Sequence, residues 1–112
     1  MAVDRAYTWP MTYKQFMTSV AEDATPPEGL DARLQALWYA AKGQWEKAHT
    51  VAQGIETASG SWIHAHLHRE EGDLSNAGYW YARAGRPPTR ESLDEERAAL
   101  IRTFLENAAD GA

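Results

Sequence analysis

The sequence predicts a single all-α domain over residues 1–112, a compact helical-hairpin bundle of about six helices. Three observations predict it. Apolar residues recur at i, i+3, i+4 and i+7 in several segments. Capping signatures stand where those segments begin, at Thr12/Gln15 and Ser92/Glu95. Glycine and proline stand where they stop, and no segment alternates as a strand does.

Residues 1–11 read as an arm that passes through Pro10. Thr12 and Gln15 then cap a first helix whose stripe is Tyr13, Phe16, Met17 and Val20. The run Ala24-Thr25-Pro26-Pro27-Glu28-Gly29 breaks it as a linker. Asp31 caps the second helix, striped by Leu34, Leu37 and Trp38 and ending near Lys42-Gly43. The third runs from about Trp45 to Ile55, with Ala48, Val51, Ala52 and Ile55 on one face. Thr57-Ala58-Ser59-Gly60 reads as a turn.

Ser61–Thr89 reads as two short helices folded back at Gly72-Asp73. Trp62, Ile63, Ala65 and Leu67 supply the apolar content of the first. Leu74, Ala77, Tyr81 and Ala84 form the stripe of the second, which Gly85 and Pro87-Pro88 end. A last helix follows Ser92, with acidic residues in its first turn and Leu93, Leu100, Ile101, Phe104 and Leu105 as its buried stripe.

Composition narrows the function. A net charge of −5 argues against non-specific nucleic-acid binding, which needs basic patches against phosphate. No apolar run reaches the length of a membrane span, so no membrane partner is expected. The absence of cysteine, with no basic-then-apolar leader at the N-terminus, predicts a cytoplasmic location. Five tryptophans and five tyrosines are numerous for the length, and the plain account is that large rings fill a small core.

The middle of the chain repeats itself. Gly43-Gln44-Trp45-Glu46-Lys47-Ala48 and Gly72-Asp73-Leu74-Ser75-Asn76-Ala77 share a glycine, an apolar residue two positions on and an alanine five on. Upstream, Leu34 aligns with Ile63, Ala36 with Ala65 and Trp38 with Leu67. Glycine closes a tight turn without steric cost, and alanine lets paired helices approach closely.

These residues resemble the tetratricopeptide repeat, a helix-turn-helix unit. Ala65, Gly72, Ala77, Tyr81 and Ala84 match its pattern in the second copy, and Ala36, Tyr39, Gly43 and Ala48 in the first. The units are about 30–58 and 59–88, closer together than the family's usual repeat, and the terminal helices read as caps. The string from Trp62 through Pro87 is also similar to a family of short uncharacterised bacterial proteins, a likeness that brings no activity with it.

The tetratricopeptide resemblance implies a non-enzymatic module for a protein or peptide partner, a second copy of the chain included. Its groove would be lined by the first helix of each unit, at Arg33, Leu37, Trp62, His66 and Arg69. Tyr79 and Trp80 flank Tyr81 and cannot share its inward face; Trp80 either anchors an interface or is covered by the last helix. Arg83, Arg86 and Arg90, with Arg69 near, either clamp an anion or answer a helix dipole.

The alternative is a small metal-binding protein or hydrolase. His64 and His68 lie one helical turn apart, the separation at which two imidazoles share a metal, while His66 points the other way. His49, Asp73 or Glu71 are the candidates for a third ligand, and spacing alone does not choose among them. No HExxH or GxSxG motif is present, so no catalytic residue and no cofactor is assigned. Glu70, Glu71 and Asp73 read as solvated acids beside a turn.

Overall fold

The computed structural model describes residue 7 and residues 9–107. Most of the arm expected over residues 1–11, and the tail after 107, lie outside the described residues. Six helices, and no strand among the described residues, follow in order: α1 (Tyr13–Glu22), α2 (Ala32–Ala41), α3 (Trp45–Gln53), α4 (Ala58–Glu70), α5 (Leu74–Ala84) and α6 (Leu93–Asn107). No helix among them is long and apolar enough to cross a membrane.

The helix starts obey local chemistry. The Gln15 amide donates to Thr12 Oγ1 at 3.1 Å while Gln15 Oε1 accepts from the Thr12 amide at 3.0 Å. Asp31 accepts from the amides of Arg33 and Leu34 at 2.9 and 3.3 Å. Ser92 and Glu95 exchange the same reciprocal pair as Thr12 and Gln15, at 3.1 and 3.2 Å.

The two glycine turns are alike bond for bond. Gly43 and Gly72 have φ of 84° and 81°, a left-handed conformation that costs a residue with a Cβ about 1–2 kcal/mol. The Gly43 and Gln44 amides donate to the carbonyls of Ala40 and Tyr39, and the Gly72 and Asp73 amides to those of Arg69 and His68. Each turn thus closes the same two hydrogen bonds and starts the next helix at the same register. α2 and α3 form one hairpin, α4 and α5 the other, and α3 packs against α4 between them.

α6 lies across α2 and α4, and α1 closes against α2 and α6. The main core joins Phe16 and Val20 of α1, Leu34, Leu37 and Trp38 of α2, Ala48 and Ala52 of α3, Ile63 and Leu67 of α4, and Leu100, Ile101 and Phe104 of α6. A smaller cluster of Ala65, Ala77 and Tyr81 welds α4 to α5. Among the described residues, buried side-chain polar atoms are bonded within this packing, Gln44 Oε1 excepted. Trp38 Nε1 donates to Ser19 Oγ at 2.9 Å, and Lys42 Nζ donates to the Val20 and Asp23 carbonyls, answering the C-terminal end of α1.

Two expectations are corrected. Residues 57–60 are not a turn: Thr57 precedes α4 and Gly60 lies in its first turn. A Cβ on Gly60 would stand 2.0 Å from the Ile55 carbonyl oxygen, so this glycine permits a close backbone approach rather than a bend. Leu74 is not core but 70% exposed, because α5 packs closely on α4 alone and touches α6 only through Tyr81, far from its first residue.

Candidate functional site

α4 carries chemistry on two opposite sides, and its helical period separates them. His66 is fully buried and turns toward α6. Its Nδ1 donates to Glu96 Oε1 at 2.6 Å and its Nε2 to Glu70 Oε1 at 3.1 Å. Glu96 also accepts from Arg69 Nη1 at 2.7 Å and from the Tyr81 hydroxyl. Arg97 reaches Glu70 at 3.3 Å and Asp94 at 2.9 Å.

The electrostatics of this network are coupled. Desolvation works against the charged imidazolium of His66, but the bonds and charges of Glu70 and Glu96 outweigh it and hold its pKa above the ordinary value. Burial likewise works against the Glu96 carboxylate, and the bonds from His66, Tyr81 and Arg69 prevail to hold its pKa low. Burial first, then the Glu96 bond, pushes the Tyr81 hydroxyl up. Every partner in the network is occupied, so it joins helices rather than offering a free acid or base.

The other side of α4 faces α3. His64 and His68, one turn apart, stack at 4.8 Å between ring centroids, and His49 of α3 stands edge-on to both, at 4.6 and 5.4 Å. One ring nitrogen from each of His49, His64 and His68 lies within 4.8 Å of the others. The Nε2 atoms of His49 and His64 are 2.9 Å apart. His68 Nδ1 bonds Glu71, and Asn76 Nδ2 lies 3.4 Å from His68 Nε2.

Two tryptophans bracket the group. Trp80 lies flat on His64 at 3.9 Å and 6°, and Trp45 flat on His49 at 4.7 Å and 11°. Burial, then the neighbouring His49 and His68, pull the His64 pKa down to about 4; burial and His68 lower that of His49. Both rings are therefore neutral, with a lone pair to give, at neutral pH. A cleft of about 590 Å³ lined in part by Ser61, His64, Trp80 and Arg83 opens beside them.

The residues expected in a groove have all found a place. Leu37 is fully buried in the main core. Arg33, also buried, sets its guanidinium 4.8 Å over the Phe104 ring. Trp62 meets Phe104 edge-on at 5.7 Å and carries Arg86 3.4 Å over its own ring. His66 and Arg69 bond Glu96. Arg33, Trp62, His66 and Arg69 thus all contact α6.

Trp80 is half-covered by His64, not by α6, whereas Tyr79 is 54% exposed and accepts from Arg83 at 3.2 Å. The arginines do not converge on one point: Arg83 leans over Tyr79 and Trp80, Arg86 over Trp62, and Arg69 into the Glu96 network. Asp73 caps α5 through the Asn76 amide at 3.1 Å. Of the three candidates to join His64 and His68, the structure brings His49 into the group and places Glu71 on the outer side of His68. No protein-family model matches the chain, and neither does any curated protein or solved structure.

Proposed function

We propose that this chain is a non-enzymatic, tetratricopeptide-like interaction module whose own last helix fills the groove and whose protein partner docks on the outer face of α5. The likeness of the Gly43 and Gly72 turns supports the repeat reading. The observation that carries the docking surface is the outward side of α5, which packs its backbone on α4, reaches α6 only through Tyr81, and leaves Leu74 and Tyr79 uncovered. Tyr79 with Arg83 beside its ring is the residue pair that anchors protein contacts, and Leu74 adds exposed apolar area. A second copy of the chain is the simplest such partner, since α5 of one copy can pack on α5 of another about a two-fold axis.

The test is a photo-activated cross-linker placed at Tyr79 in cells of the native host, with Lys47 on the exposed face of α3 as the control position. A discrete adduct from position 79, lost in Leu74→Ser, supports the reading; an adduct at twice the chain's mass identifies self-association. The same cross-linking at both positions, or none at 79, overturns it.

A further inference from the structure

We propose that His49, His64 and His68 form a binding site for one divalent transition-metal ion of the zinc type, with Glu71 as the outer carboxylate that orients His68. Three imidazole nitrogens drawn from two helices already lie within 4.8 Å of one another. In a tetrahedral zinc site with bonds of about 2.0–2.1 Å, ligand nitrogens stand about 3.3 Å apart. The His49–His64 pair, at 2.9 Å, reaches that separation by a shift of a few tenths of an ångström.

The tautomers fit the same assignment. With Nδ1–H of His68 donating to Glu71, its Nε2 is left as the ligand atom, the carboxylate–histidine–metal arrangement that fixes ring orientation. The Asn76 contact at 3.4 Å is long and yields readily. Asp73, whose carboxylate also lies within 4.8 Å of the ligand atoms of His68 and Glu71, caps α5 through Oδ1.

The His49–His64 contact is a hydrogen bond in which one ring nitrogen donates and the other accepts. When a divalent cation binds, the shared N–H proton moves to the far nitrogen of its ring and both facing nitrogens become ligands. Neutral imidazoles suit zinc, copper and nickel rather than magnesium or calcium, and three of them leave the fourth tetrahedral position for water or an anion. The cleft beside His64 gives a path of entry. Trp45 and Trp80 lock the two outer rings in place, so little side-chain freedom is lost on binding.

The experiment uses the untagged full chain, stripped with a chelator and titrated with Co²⁺ as a spectroscopic stand-in for Zn²⁺. One equivalent is expected to bind with the intense visible absorption of low-coordinate cobalt and to be displaced by Zn²⁺. His49→Ala, at a half-buried position on α3, is expected to weaken Zn²⁺ binding roughly a hundredfold or more, with the helical signal retained. Glu71→Gln is expected to weaken it about ten- to a hundredfold while keeping the cobalt spectrum. Octahedral cobalt only, no binding, or equal Zn²⁺ affinity in His49→Ala and the parent chain would each overturn the assignment.

Discussion

His66 Nδ1 meets Glu96 Oε1 at 2.6 Å across 30 residues of sequence, and this bond ties the middle of α4 to the start of α6. On the repeat reading proposed above, it closes the surface that would be left open to a peptide. Arg33, Trp62, His66 and Arg69, which a repeat array would present to a peptide, instead grip a helix of the same chain.

Glu96→Ala should destabilise the fold by about 3–5 kcal/mol, because it leaves His66 and Arg69 without their shared buried anion. Glu96→Gln, which keeps the shape and one acceptor, should cost less. Urea unfolding followed by helical circular dichroism measures both.

Two glycine substitutions should have opposite signs. Gly60→Ala drives a methyl into the Ile55 carbonyl and should cost roughly 1–3 kcal/mol. Gly78→Ala, in mid-helix with nothing within 4 Å of the added Cβ, should stabilise by about 0.5–1 kcal/mol. Thermal melts of the two variants beside the parent decide the matter.

Gly43→Ala and Gly72→Ala should each cost about 1–2 kcal/mol, since both substitutions meet the same left-handed backbone. Matching losses in denaturant titrations are the expected outcome. A large difference between them would deny the equivalence of the two turns.

Stability should peak near pH 6.5. Below that value the unfolded chain protonates its histidines at their ordinary pKa of 6.5, while folded His64 resists until about 4. In the metal-free chain the unfolded state then binds more protons, so stability falls as the pH falls across that window, by on the order of 2 kcal/mol after allowance for solvent screening. Glu96, held low by His66, Tyr81 and Arg69, adds a loss at the acid end. His66 acts in the other direction: its contribution is full below 6.5 and disappears as pH rises through its raised folded value. In His64→Asn the acid slope between pH 6.5 and 4 should flatten, which a pH series of urea midpoints records.

Local signals carried the helices and their ends. Thr12/Gln15, Asp31 and Ser92/Glu95 each act on backbone within three residues, and Gly43, Gly72 and Gly85 each take the positive φ that their positions require. The split of His64 and His68 from His66 followed from helical period alone. What stayed hidden depended on how helices are placed against each other. Nothing near His64 in sequence says that α3 turns His49 toward it, and nothing near Trp62 or Arg33 says that Phe104 is their occupant. Gly60 looked like punctuation because a glycine that permits contact and a glycine that permits a bend are the same letter. Leu74 fitted the stripe of α5, yet periodicity cannot reveal that the helix packs closely on α4 alone and meets α6 only at Tyr81.

The flat stacking of His64 on Trp80 and of His49 on Trp45 makes the indoles optical reporters of the imidazoles. An imidazolium in van der Waals contact with an excited indole withdraws electron density from it and dims its emission. Any event that charges either ring therefore registers in the intrinsic fluorescence of the unlabelled molecule.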